Sequence, residues 1–194
     1  MGDHMEDEKT AIRVLLKQLL KGVTADERQE ASQRASSALL QTPEYQRAKT
    51  VMLFVSLPSE LDTRAILLDA WSAGKRVAVP RAHMETRSME AVVIRSLEHD
   101  MQRSKIGVLE PIGQECAAPA ELDLVLVPGL GFGEAGERIG RGAGFYDLFL
   151  AQSALRAVTC GYVMERQIIA GIPMTAFDTP VHMLVSDERV RRFR

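Results

Sequence analysis

The sequence predicts one three-layer α/β domain built on a mostly parallel sheet, and three observations predict it. Two helical patterns precede the first apolar strand. A strand, helix, strand order then follows between residues 51 and 79. With 46% hydrophobic and 26% charged residues over 194 positions, the chain also carries enough apolar material for an ordinary core. No repeat, low-complexity tract or linker divides residues 5–194, which read as a single domain. The Met-Gly-Asp-His run of residues 1–4 has the form of an expression-tag remnant ahead of Met5 and is set aside.

Over residues 8–21, Ile12, Leu15, Leu16, Leu19 and Leu20 recur at helical spacing, and Gly22 supplies a stop. Thr24 and Glu27 stand at capping-box spacing and open a second helix, which carries Ala31, Ala35, Ala38 and Leu39 on one stripe and ends before Pro43. Residues 51–56 form a buried strand, a helix starts at Asp62-Thr63 and runs to Gly74, and residues 76–79 form the next strand. A right-handed crossover makes these two strands parallel, with ligands expected beyond their carboxyl ends at residues 57–60 and 80–83. Further along, residues 91–94 suit a strand, 101–107 are ambiguous and 111–119 read as loop. Strands follow at 124–127, 157–163 and 181–186.

Composition excludes several classes of function. Cys116 and Cys160 are the only cysteines, too few for a disulfide framework and without metal-type spacing, so a reducing cytoplasm is the expected setting. A net charge of −2 gives no global attraction to nucleic acid. Apolar runs fall far short of the roughly 20 residues that span a bilayer. The expectation is a cytoplasmic monomer that binds small anions.

The most informative stretch runs from Leu122 to Leu150, LDLVLVPGLGFGEAGERIGRGAGFYDLFL: an apolar strand, a polar loop, alternating glycines and a helix start near Phe145. Gly140, Gly142 and Gly144 let the backbone enter positive φ and turn N–H groups toward an anion. The helix start adds unpaired N–H groups. Arg138 and Arg141 offer forked donors to phosphate oxygens, and Asp147 is a candidate magnesium contact. Neither a Walker A string nor a dinucleotide fingerprint occurs here. A nucleotide site is the expectation, against the alternative of a glycine-rich surface loop with solvated arginines.

The segment PGLGFGEAGERIGRGAGFYDLFL resembles the signature of the 5-formyltetrahydrofolate cyclo-ligase family, also called 5,10-methenyltetrahydrofolate synthetases. The likeness extends from Lys9 to His182. It takes in Lys9 and Arg13, the VSLPSELDT segment, Val79 to Arg81, and the pair Pro173 and Asp178. The resemblance implies a fold similar to that of ribose-5-phosphate isomerase and CoA transferases. It implies a ligase of folate one-carbon metabolism that closes 5-formyltetrahydrofolate to 5,10-methenyltetrahydrofolate, using ATP as co-substrate and Mg2+. In that reaction the formyl oxygen is phosphorylated, N10 attacks the activated carbon, and phosphate leaves.

Carried to this chain, the resemblance places Lys9, Arg13, Arg138, Gly140, Arg141, Gly142, Ala143, Gly144, Phe145 and Tyr146 at ATP. Arg141 and Tyr146 take the catalytic positions; Val55, Glu60, Ile106 and Tyr146 meet the folate; Asp147 and Asp178 hold the metal. Read without it, Lys9 and Arg13 suit a solvated helix face, Phe145, Tyr146 and Val55 suit a core, Glu60 and Asp147 suit helix-start charges, and Asp178 a turn before Pro180. Four positions depart from the family's usual residues: Ala143, Phe145, Ile106 and His182. Finally, Arg189, Arg191, Arg192 and Arg194 form a basic tail, expected either to be solvated or to attract the polyglutamate tail of cellular folates. Two rivals share the scaffold: a non-catalytic nucleotide binder, and an ATP-independent isomerase or CoA-transferase-like enzyme.

Overall fold

The computed structural model describes residues 2–104 and 107–193. Helix α1, Gly2–Lys21, reaches further back than the apolar pattern alone indicates. Its buried seam is narrower than expected: Leu16 and Leu20 are buried with Ile12 packed beside them, whereas Leu15 is 56% exposed. A spacing of four carries this seam, and Lys9 and Arg13 lie on the turns just before it. Helix α2, Ala25–Leu40, begins at the expected capping box. The Thr24 hydroxyl accepts from the Glu27 N–H at 3.2 Å, and the Glu27 carboxylate accepts from the Thr24 N–H at 2.8 Å. A short α3, Pro43–Arg47, follows with Pro43 in its first turn and Thr42 as its cap.

Strand β1, Thr50–Met52, is shorter than the apolar run of residues 51–56. Leu53 still donates to the Ala78 carbonyl, but beyond it the chain peels away. The Thr63 hydroxyl there takes the Phe54 carbonyl at 2.7 Å and receives the Ser56 N–H at 3.2 Å. Thr63 therefore pins the loop to the strand instead of capping, and α4 runs Arg64–Ser72. Strand β2, Arg76–His83, outruns residues 76–79 because it continues as a hairpin with β3, Ser88–Val93. From Pro80 onward β2 has a neighbour on one side only, the setting in which a strand tolerates proline.

Two short strands, β4 (Met101–Arg103) and β5 (Leu109–Pro111), pair with each other. The segment read as loop holds β6, Cys116–Ala117, an edge strand beside β3. Strand β7, Leu124–Val127, is central and buried throughout. The polar stretch after it is structured: β8 (Gly131–Gly133) and β9 (Arg138–Ile139) form an antiparallel pair leading into α5, Phe145–Leu150. Then come β10 (Val158–Tyr162), β11 (Ile168–Ile169), β12 (Met183–Val185) and β13 (Val190–Arg192), with β11 joining β8 in a three-stranded sheet.

The main sheet has the order β13-β12-β10-β7-β1-β2-β3-β6. Its five inner strands, β12 to β2, are parallel, and the outer ones are antiparallel. Both faces are buried, as continuous apolar strands require. Val51, Val77, Leu124, Leu126 and Val185 pack with α1, α2 and α4, while Met52, Ala78, Val125, Val127 and Leu184 pack with Phe149 and Leu150 of α5. The basic tail is part of this sheet. Arg189 and Arg191 converge on Glu165, and Arg192 pairs with Glu44 at 2.7 Å, so these residues are neither simply solvated nor free for a polyglutamate chain. Arg194 lies outside the described residues.

Candidate phosphate and folate site

Residues 140–144 connect β9 to α5 at the carboxyl side of the inner strands. Gly142 (φ 106°) and Gly144 (φ 73°) occupy the left-handed region, and Gly144 sits at the cap position of α5. Gly140 has a different reason: a Cβ there would stand 2.7 Å from Nη1 of Arg138, so its absence makes room for the guanidinium. Alternation of glycine thus reflects two physical demands, not three copies of one. No main-chain N–H from Arg141 to Gly144 has an acceptor among the described residues, and the segment 141–143 is exposed.

Arg138 is only 7% exposed. Its Nη2 donates to Oδ1 of Asp147 at 2.6 Å, and its guanidinium carbon lies 5.7 Å from the centre of the Tyr146 ring. Arg138 Nε and the Tyr146 hydroxyl are both buried with no partner among the described residues. Burial pushes the Tyr146 phenol well above its ordinary pKa, only partly offset by Arg138, so it stands as a neutral hydroxyl able to donate.

Arg141 points elsewhere. Its Nη2 reaches the Ser59 hydroxyl and Oε1 of Glu60, each at 3.2 Å, while Oε2 of Glu60 accepts the Leu57 N–H at 2.9 Å. Glu60 also lines a cleft of about 570 Å3 between α2 and the 56–65 segment, together with Arg28, Ser32, Ser36, Leu57 and Pro58. Val55 is half-buried against the core beside this segment.

The first helix belongs to the same place. Lys9 is buried and donates to Oδ2 of Asp178 at 2.6 Å; one turn on, Arg13 Nε reaches the Gly140 carbonyl at 3.4 Å while Nη1 holds Glu6 at 2.7 Å. Burial alone would raise the Asp178 carboxyl, but the Lys9 ammonium and the N–H and hydroxyl of Thr175 hold it below its ordinary value.

The structure therefore brings together Lys9, Arg13, Arg138, Gly140, Arg141, Gly142, Ala143, Gly144, Phe145, Tyr146 and Asp147, with Asp178 joined through Lys9 and Glu60 through Arg141. Ile106 lies outside the described residues. His182 is engaged in the sheet: its Nδ1 accepts the Thr159 N–H at 3.1 Å, and its own N–H donates to the Thr159 carbonyl. Sequence reasoning missed Ser59, which shares Arg141 with Glu60, and Arg87, on the hairpin above Gly144. Nothing in the local pattern distinguishes either from a surface residue.

A family model for the 5-formyltetrahydrofolate cyclo-ligase family matches residues 5–187. The chain belongs to that family. It is 28% identical to the 5-formyltetrahydrofolate cyclo-ligase of Mus musculus, with 93% of this chain and 94% of the relative covered. It is 27% identical to that of Escherichia coli K12, with 91% and 98% covered. Among solved structures, it resembles the NMR structure of the Aquifex aeolicus 5,10-methenyltetrahydrofolate synthetase, with a TM-score of 0.83, 26% identity and coverage of 96% and 93%. No helix among the described residues is long and apolar enough to cross a membrane.

Proposed function

We propose that this cyclo-ligase family member closes 5-formyltetrahydrofolate to 5,10-methenyltetrahydrofolate at the expense of ATP, with phosphate chain and folate held on either side of Arg141. The observation that carries this reading is the single guanidinium that ties the glycine segment to Ser59 and Glu60. Triphosphate on the open N–H groups and pterin against Glu60 would then share one wall, which in-line transfer between them requires. The adjoining cleft falls in the size range of small-molecule sites.

The chemistry explains why the two halves must meet. An N-formyl carbon is a weak electrophile, and ring closure must expel its oxygen. Attack of that oxygen on the γ-phosphate releases ADP and makes a phosphate leaving group. N10 then adds to the carbon, loses its proton, and inorganic phosphate departs to leave the methenyl bridge. In this reading Arg141 releases Glu60 in part to meet the transferring phosphoryl group. Arg138 and the Tyr146 hydroxyl, with their orphaned buried donors, supply the remaining partners that a bound anion would satisfy. Lys9 and Arg13 bring the first helix to the phosphate chain. The same reading has the enzyme acting as a monomer in the cytoplasm.

Asp147 and Asp178 fit a magnesium ion carried by the nucleotide. Each commits one oxygen to a cation, Arg138 or Lys9, and keeps a second without a partner among the described residues. No cluster of three ligating side chains occurs among the described residues, as suits a metal that takes most of its ligands from phosphate and water. When bound, the ion would neutralise phosphate charge.

The decisive experiment mixes the full chain with 5-formyltetrahydrofolate, ATP and Mg2+ and follows methenyl-folate absorbance, omitting each component in turn. Absorbance that grows only with all three present supports the reading. Product without ATP, or none with all components, overturns it.

A further inference from the structure

The hairpin joining β2 to β3 carries the only non-glycine residue with positive φ among the described residues, Arg87 at φ 50°. A left-handed residue closing a short hairpin loop is ordinary, but glycine or asparagine normally fills it because Cβ is crowded there. This chain places an arginine instead, next to a Thr86–Ser88 hydroxyl contact of 2.7 Å that braces the turn. Side chain and strain share a direction: Nη2 of Arg87 lies 3.9 Å from the point where a Cβ on Gly144 would stand. The left-handed turn therefore holds a guanidinium over the cap position of the glycine segment.

The other cations of this segment already have carboxylate partners. Arg138 holds Asp147, Arg141 holds Glu60, Lys9 holds Asp178 and Arg13 holds Glu6. Arg87 is exposed and has no carboxylate within salt-bridge distance among the described residues. It is the uncommitted positive charge at a loop whose N–H groups are also open. Backbone strain of this kind gathers at ligand-binding positions.

We propose that Arg87 is an additional phosphate-binding residue, which reaches across from the β2–β3 hairpin to close on the anion held by residues 141–144. This rests on the nucleotide reading above and names one more contact within it. The hairpin acts as a fixed arm, braced by six residue pairs of β2 with β3, so the guanidinium is placed before ligand arrives.

The test is a set of full-length variants, Arg87→Ala, Arg87→Gly and Arg87→Lys, measured by calorimetric titration with MgATP and by steady-state KM for ATP and for 5-formyltetrahydrofolate. Arg87→Gly separates charge from strain, since glycine relaxes the turn while removing the guanidinium. Expected are an unchanged or raised Tm for Arg87→Gly, about tenfold weaker MgATP binding for the Ala and Gly variants, partial rescue by Lys, and an unmoved folate KM. MgATP affinity of Arg87→Gly within twofold of the parent overturns the proposal, as does equal loss for both substrates. Should Arg87→Gly misfold, Arg87→Asn tolerates the same φ and takes its place. Gly142→Val is the control beneath: if it too leaves MgATP binding intact, the nucleotide reading of the loop falls. If it weakens binding while the Arg87 variants do not, only the hairpin contact is lost.

Discussion

Two arginine clusters in this molecule look alike in sequence and differ in how completely they are satisfied. At the last sheet edge, Glu165 accepts from Arg189 and Arg191 on one oxygen and from Arg191 and the Ser186 hydroxyl on the other. No acceptor capacity is left over, and the cluster ties β13 to the rest of the sheet. At the glycine segment two ion pairs, Arg138–Asp147 and Lys9–Asp178, are left incomplete. Among the described residues, Arg138 keeps an orphaned Nε, Tyr146 beside it an orphaned hydroxyl, and Asp147 and Asp178 an unused oxygen each. A saturated network stabilises a fold; one with buried donors to spare is shaped for something that is not protein.

Breaking the comparison starts with the largest effect. Arg141→Ala should cut turnover by about 10²- to 10³-fold with little change in Tm. Near-normal turnover in a steady-state assay would return Arg141 to a surface role bridging Ser59 and Glu60. Next, Gly142→Val should weaken MgATP binding about tenfold or more. The cause is its φ of 106°, because the space around a Cβ there is open. Gly142→Ala should therefore behave much like Val, and an unaffected Ala variant would show that conformation is not what the position demands.

The saturated cluster makes the opposite kind of prediction. Arg191, then Ser186 and Arg189, hold Glu165 down from 4.5 to about 2 against the upward push of burial. Its stabilising contribution is therefore present above pH 4.5 and drains away as pH falls toward 2. Glu165→Gln should lower stability at pH 7 by about 2 kcal/mol and flatten the acid limb of a Tm-against-pH curve, leaving KM for ATP unmoved. A shifted nucleotide KM would mean the two clusters communicate. Smallest of all, Asp147→Asn should raise the magnesium concentration needed for half-maximal rate several-fold. An unaltered metal titration removes Asp147 from the metal shell and leaves it only as the partner of Arg138.

Much of this was legible in the sequence where a single physical cause dominates. The capping box at Thr24, the continuous apolar run at Leu124–Val127 and the helix start at Phe145 each follow from local chemistry. So did membership of Gly142 and Gly144 in a strained turn. What local reasoning misjudged was decided by contacts between distant segments. Thr63 stands at the cap position but makes no cap bond, because its hydroxyl oxygen accepts the Ser56 N–H while its proton goes to the Phe54 carbonyl nine residues back. β8 pairs with β9 beside it and gains its second neighbour, β11, from far along the chain. Arg191 reads as a loose tail until Glu165 is placed opposite it. At the site, the cations and carboxylates were foreseen as separate ligands; that Arg138 and Asp147, or Lys9 and Asp178, hold one another is visible only in three dimensions.

The Lys9–Asp178 bond joins positions 169 residues apart. A ribosome must have released Asp178 before this clasp can close, and closing so long a loop is entropically slow compared with forming any neighbouring helix. On the proposed assignment of these two residues to the nucleotide site, a chain not yet extended past Asp178 lacks the clasp that would help to hold ATP.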